Sequence, residues 1–112
     1  MQDLNEWIIK LKEDSKSKIV LVEGKNDKKV LEDNGVSNII TLSKPIFEIT
    51  EEIIKDGREC ILLVDLDKEG KSLYHKLRFL FQKYGIKTDN KFREFLFENT
   101  KIRQIEGLKK HL

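Results

Sequence analysis

Apolar side chains at Leu4, Trp7, Ile8 and Leu11 repeat at i, i+3, i+4 and i+7, the spacing of one helical face, and Asp3 with Glu6 has the form of a capping box. A helix over residues 4–13 is predicted, with Trp7 as its buried anchor, and polar residues 14–17 follow as a linker. The period then changes. Lys18-Ile19-Val20-Leu21-Val22 is a short continuous apolar run, which reads as a strand buried on both faces. Residues 26–33 predict a short helix with Val30 and Leu31 inward, stopped by Asn34-Gly35, and residues 38–42 a second strand. Ser43 is placed to cap a third helix with Pro45 in its first turn and Ile46, Ile49 and Ile53 on its buried side, and Gly57 ends it. Ile61-Leu62-Leu63-Val64 is the third strand. The longest helix is expected over residues 69–84, with Leu73, Leu77, Leu80, Phe81 and Tyr84 toward the sheet and Gly85 closing it. Past Gly85 the pattern weakens. Residues 86–88 read as an extended scrap, Asp89 as the cap of a helix carrying Phe92, Phe95 and Leu96, and residues 101–105 as a last short strand.

Strands alternating with helices of these lengths predict right-handed βαβ units: an α/β fold with a mostly parallel four-stranded sheet covered by helices on both faces. The division expected is an N-terminal helix and linker (1–17), one domain over 18–106, and a tail from Gly107. At 112 residues the chain has room for a single core and no substrate clamp of its own. Its 22 Lys and Arg nearly balance 20 Asp and Glu, so the net +2 is only a weak pointer to a polyanionic partner. The lone cysteine, Cys60, opens a buried strand, which fits a packing role and a reducing compartment. No apolar run approaches the ~20 residues that cross a bilayer and no signal sequence is visible, so a cytoplasmic protein without a membrane partner is expected.

The candidate chemistry lies at two strand ends. Asp65, Asp67 and Glu69 alternate where the third strand runs out, and in open α/β sheets ligands bind at the carboxyl ends of strands. Three carboxylates so close repel one another unless a cation lies between them, and Mg²⁺ takes such oxygen ligands, filling its octahedron with water and phosphate. The plainer reading is that Asp67 caps the next helix and Glu69 favours its dipole. The first strand ends in Glu23-Gly24-Lys25-Asn26-Asp27, where a glycine after an acid allows a sharp turn and close approach to a ligand. If the first and third strands are neighbours, Glu23 joins the aspartates in one cluster at the point where the chain changes direction.

V-E-G-K-N-D closing one strand and D-L-D-K-E-G closing another about forty residues on resemble the Toprim domain, shared by type IA and type II topoisomerases, bacterial primases, overcoming-lysogenisation-defect nucleases, recombination mediators and the ribonucleases that mature 5S ribosomal RNA. The first motif is most similar to those ribonucleases and the second to type IA topoisomerases. The resemblance implies a Toprim fold and a Mg²⁺-dependent activity on nucleic acid, RNA or DNA, with Mn²⁺ as a substitute and one or two ions bound. It implies Glu23 as the proton-transfer group, Asp65 and Asp67 as metal ligands together with Glu23, Glu69 as a further ligand, and Asp27 at a second metal site. Phosphodiester hydrolysis follows naturally, since two divalent ions roughly 4 Å apart stabilise attacking and leaving oxygens without a protein nucleophile. Lys25, Lys28, Lys68 and Lys71 flank the acids and are candidates for phosphate contact or for ordinary solvated surface, while Gly24 and Gly70 shape the turns. A non-catalytic metal-binding module that docks nucleic acid, or a protein partner supplying the clamp, is the alternative.

Other motifs fail. Gly70-Lys71-Ser72 ends like a P-loop but has Asp65 where the first glycine belongs. A D-x-D phosphatase wants its motif on the first strand. Tyr74 and His75, within the long helix, read as structural, and His111 carries no signal.

Overall fold

A computed structural model describes residues 1–112. In chain order the elements are α1 (Leu4–Asp14), β1 (Ile19–Val22), α2 (Lys25–Asp33), β2 (Ile39–Thr41), α3 (Ile46–Asp56), β3 (Cys60–Leu62), α4 (Lys68–Lys83), β4 (Thr88–Asp89) and α5 (Lys91–Asn99), followed by a 3-10 helix at Ile105–Lys110. The four strands form one sheet in the order β2-β1-β3-β4, and every pairing is parallel. The sheet is thus wholly rather than mostly parallel. The chain leaves β1 toward one edge and β3 toward the other, so the switch of direction falls between these two adjacent strands.

Alternation along the strands divides the core. Val20, Val22, Ile61 and Leu63 face one side with Trp7 and Leu11 of α1, Val30 and Leu31 of α2, and Phe92 and Leu96 of α5. Ile19, Leu21, Cys60, Leu62 and Val64 face the other, against Ile49 and Ile53 of α3 and Leu77 and Phe81 of α4. Helices therefore cover both faces, and β1 is buried along its whole length because its side chains have a layer on either side. No helix is long and apolar enough to cross a membrane.

Four expectations need correction. Residues 101–105 do not form the last strand; the fourth strand is the two-residue β4, whose partner is β3. The apolar residues Ile102, Ile105 and Leu108 recur every third position, the period of a 3-10 helix rather than the alternation of a strand, and Ile105 and Leu108 are fully buried. The segments set apart as linker helix and tail are also part of the core, since Trp7 and Leu11 near one end and Leu108 near the other are wholly inaccessible. Trp7 ties its helix down by donating its indole N–H to the Phe92 carbonyl at 2.9 Å. Finally, Ser43 does not cap α3. Pro45 is the cap, its carbonyl accepting from Glu48 and Ile49 at 3.0 and 3.2 Å, because the residue before a proline is barred from helical geometry. Tyr84, expected inward, is 52% exposed where α4 runs past the sheet.

Candidate metal and nucleic-acid site

Glu23 follows the last residue of β1, and Asp65 lies three residues beyond β3. The pairing of Leu21 with Leu62 carries Glu23 and Asp65 to the same rim of the sheet, one step apart in register. They line a single open cavity of about 390 Å³ together with Asp27 and Glu106. No hydrophobic residue contributes to its wall, and among its charged residues Lys25 is the sole cation against four carboxylates.

Three aspartates are positioned by backbone. The Asp65 Oδ1 accepts the Ile105 N–H at 2.8 Å, so the turn into the 3-10 helix holds that carboxylate in place. The Asp27 Oδ2 accepts the Gly24 N–H at 3.1 Å, closing the loop that carries Glu23. Asp67 caps α4, its Oδ1 accepting the Gly70 N–H at 2.8 Å, while its Oδ2 lies 3.4 Å from the Gln104 side-chain nitrogen. The plainer reading of Asp67 as a cap is therefore true, and it leaves one carboxylate oxygen turned toward Gln104.

The electrostatics follow from this crowding. Burial, then the charge and hydrogen bonding of Asp65, and then the charge of Asp67 push the Glu23 carboxyl up to about 7, with only the Asp65 backbone amide opposing. Asp27 is raised for the same reasons: burial first, then the charge of Asp65, with Glu106 adding to it. The protein carries one buried cation nearby. Arg93 donates from Nε to the Val64 carbonyl at 3.1 Å and from Nη2 to the Asp65 carbonyl at 2.8 Å, and its guanidinium rests 4.0 Å from the centre of the Tyr74 ring. Burial lowers its proton affinity, while Tyr74, Glu23, Asp65 and Asp67 act to raise it.

The two motif glycines differ in kind. A Cβ on Gly70 would lie 2.1 Å from the Asp65 carbonyl oxygen, so α4 begins against the β3 loop only because no side chain intervenes. A Cβ on Gly24 would meet nothing within 4 Å, and the backbone there is extended at φ −142°, so nothing within the chain demands glycine.

The structure brings together Glu23, Asp65 and Asp27 with Lys25 at the rim, and sets Asp67 one step away beside Gln104. It does not bring in Glu69, Lys68 or Lys71, which are exposed on the first turn of α4 and line no part of the cavity. Lys28 is also outside its wall. Three residues escaped sequence reasoning. Gln104 lies in the expected last strand and Glu106 directly after it, with no motif spacing to mark them. Arg93 had a signal: a charged residue between Phe92 and Phe95, among positions otherwise read as one apolar face.

The donor set is made wholly of oxygen and carries surplus negative charge, which suits a hard divalent cation. No three His, Cys, Asp or Glu side chains are yet drawn closely enough to enclose one. The cavity is open, the form of site that Mg²⁺ occupies through few carboxylates and several waters.

Over 112 aligned residues the chain is 38% identical to a UPF0292 protein of Methanocaldococcus jannaschii, covering 96% of this chain and 88% of that protein. A second UPF0292 protein, from Methanosarcina barkeri, is 31% identical over 115 residues, with 96% and 79% covered. A solved structure of a protein from Aquifex aeolicus superposes with a TM-score of 0.88 at 37% identity, covering 96% of this chain and 99% of that one. No family model matches the chain.

Proposed function

The chain belongs to the UPF0292 family, and we propose that it is a Toprim protein that hydrolyses phosphodiester bonds in nucleic acid at a Mg²⁺-dependent acidic site. The observation that carries this reading is the meeting of Glu23 and Asp65 in one polar cavity at the switch between adjacent parallel strands. The motifs E-G-x-x-D and D-x-D lie in this chain at the two strand ends that converge, which is what the Toprim reading requires.

Glu23, Asp65 and Asp67 are the residues that would hold the ion, and Glu106 and Asp27 line the same cavity while the exposed Glu69 does not. When bound, Mg²⁺ supplies positive charge to the attacking and leaving oxygens of the phosphodiester. The chain's own groups do the rest. Glu23 is the group whose carboxyl holds or gives up a proton nearest neutral pH, the range in which a general acid or base is most effective. Asp65 is held from both ends, its carboxylate by Ile105 and its carbonyl by Arg93, so it does not swing with the loop. Lys25, exposed at the rim, meets a phosphate entering from solvent.

The test is a panel of end-labelled RNA and DNA, single-stranded and duplex, incubated with Mg²⁺ or Mn²⁺ against Glu23→Gln and Asp65→Asn. Cleavage by the wild type alone is expected, with loss on the order of 10²-fold or more in Glu23→Gln. The open arrangement of the acids favours one second reading, a metal-binding module that docks nucleic acid without cutting it. Metal binding with no Glu23-dependent cleavage of any substrate would select that reading, and absence of both would end the two together.

A further inference from the structure

Beside the acid cavity the surface opens into a second cleft of about 640 Å³, bounded by the N-terminus of α1, residues 100–104 and the 3-10 helix. Its wall includes Lys101, Arg103, Lys110 and His111, and Asp67 is its only carboxylate. Gln104 lines both spaces, and its side chain lies 3.4 Å from Asp67, so one residue pair separates the acidic cavity from the basic cleft. Charge thus reverses across a single wall, where several other acids and bases of the chain lie side by side in pairs. The Lys18, Lys91, Asp14 and Asp89 group at the opposite end of the sheet, for example, is internally paired at 2.9 to 3.8 Å.

The cations of the cleft have no acid partner. Lys101, Arg103 and Lys110 have no carboxylate within ion-pairing distance, whereas the neighbouring Lys109 pairs with Glu106. Arg103 is also fixed in position. It donates to the Thr100 and Ile102 carbonyls, both at 2.9 Å, and its guanidinium lies 4.9 Å from the Phe97 ring centre. A rigid cation flanked by two exposed lysines at one side of a carboxylate cluster suits a ligand with regularly spaced negative charges and a neutral or apolar body between them.

We propose that this cleft seats one strand of nucleic acid on its way to or from the acid cavity, with Lys101, Arg103 and Lys110 on successive phosphates. The inference rests on the functional reading above for its substrate, and assigns to residues 101–111 the holding of that substrate beside the acids. A single strand rather than a duplex is the occupant proposed, because the cations line a cleft of about 640 Å³ rather than a broad face. The acids repel the same backbone. A strand is therefore held on the basic side and reaches the carboxylates only at the phosphate that passes Gln104.

The experiment measures binding of a labelled 12-nucleotide single strand by fluorescence anisotropy in EDTA, where no cleavage occurs, for the wild type, Lys101→Glu/Lys110→Glu and Glu23→Gln. Lys101 and Lys110 are exposed and make no side-chain hydrogen bond or ion pair, so the double variant keeps the fold, which circular dichroism checks. It is expected to bind at least about tenfold more weakly, and to lower the slope of log K against log salt by about 1.4, at roughly 0.7 per phosphate contact on a single strand. Glu23→Gln should bind at least as well as the wild type, having lost a repelling charge. Equal affinity and slope in the double variant would overturn the cleft, as would wild-type binding of a matched duplex as tight as that of the strand. Mn²⁺ binding followed by electron paramagnetic resonance keeps the two readings separate. A chain that binds the strand through Lys101 and Lys110 but takes up no Mn²⁺ retains the cleft and loses the metal site, and the reverse pattern does the opposite.

Discussion

Stripping divalent metal from the protein and raising the pH should weaken the wild-type fold while leaving Glu23→Gln almost unaffected. Glu23 titrates at about 7 in the folded chain against an ordinary 4.5, because burial and then Asp65 penalise its charged form. Each tenfold change in proton affinity corresponds to about 1.4 kcal/mol, which sets a ceiling of about 3 kcal/mol. Glu23 keeps part of its surface in water, and solvent screening brings the expected effect down to about 1–2 kcal/mol. The sign follows from the direction of the shift. A carboxyl that holds its proton more tightly when folded contributes fully below the unfolded value of 4.5, and that contribution disappears as pH rises through about 7. Thermal melts in EDTA from pH 5 to 8 should therefore show the wild type losing about 4–8 °C relative to Glu23→Gln, at roughly 4 °C per kcal/mol for a chain of this size. Adding Mg²⁺ at pH 8 reverses the order: at a hundredfold excess over its dissociation constant an ion confers about 2.7 kcal/mol on the folded state. Glu23→Gln, with one ligand neutralised, should gain less. Melting curves of the two proteins that stay parallel across pH in EDTA, with no gain from Mg²⁺ at pH 8, would refute the idea that these carboxylates crowd a common ion site.

Substituting Gly70 with Ala drives a Cβ to within 2.1 Å of the Asp65 carbonyl oxygen and should cost roughly 2–3 kcal/mol in urea denaturation, whereas Gly24→Ala, facing open space, should stay within about 0.5 kcal/mol of the wild type. Similar costs for the two would disprove the close approach at Gly70. Replacing Arg93 with Met leaves the Val64 and Asp65 carbonyls without their partner and should destabilise by about 2–4 kcal/mol; Arg93→Lys should restore only part of this, since one ammonium cannot reproduce the two-pronged grip. Full rescue by lysine would count against it. Cys60 is buried and its thiol is pushed up to about 12 by burial, with Glu59 adding to it, so a thiol reagent should modify it only at the rate of unfolding. Prompt labelling of the native protein would contradict that burial.

The strand and helix order up to α4 was legible because its apolar runs are strong and its punctuation is physical: Gly35, Gly57 and Gly85 all adopt positive φ where their helices stop. The adjacency of β1 and β3 was likewise readable, since the acids at their ends form one cluster only if the strands touch. After Gly85 the signal fails for a definite reason. β4 is two residues long and is held by pairing rather than by pattern, and Asp89 in it is buried against Lys18, an arrangement no local period announces. Residues 102, 105 and 108 follow a period of three that is easily taken for an irregular strand. The loss of Glu106, Gln104 and the basic cleft from the sequence reading follows directly, because all lie in that stretch. Glu69 illustrates the converse. Its spacing after Asp65 and Asp67 matches a motif, yet once Asp67 starts α4 the helical rotation carries Glu69 away from the cavity and into solvent.

The amide of Ile105 reaches back to Asp65, and Leu66 gives its own amide to the Arg103 carbonyl at 2.8 Å. During synthesis Asp65 leaves the ribosome forty residues before Ile105, the residue whose amide holds it, and Glu23 leaves earlier still. A nascent chain thus carries Asp65 without the amide that holds its carboxylate until the late residues arrive, so the acidic cavity is completed only as synthesis ends.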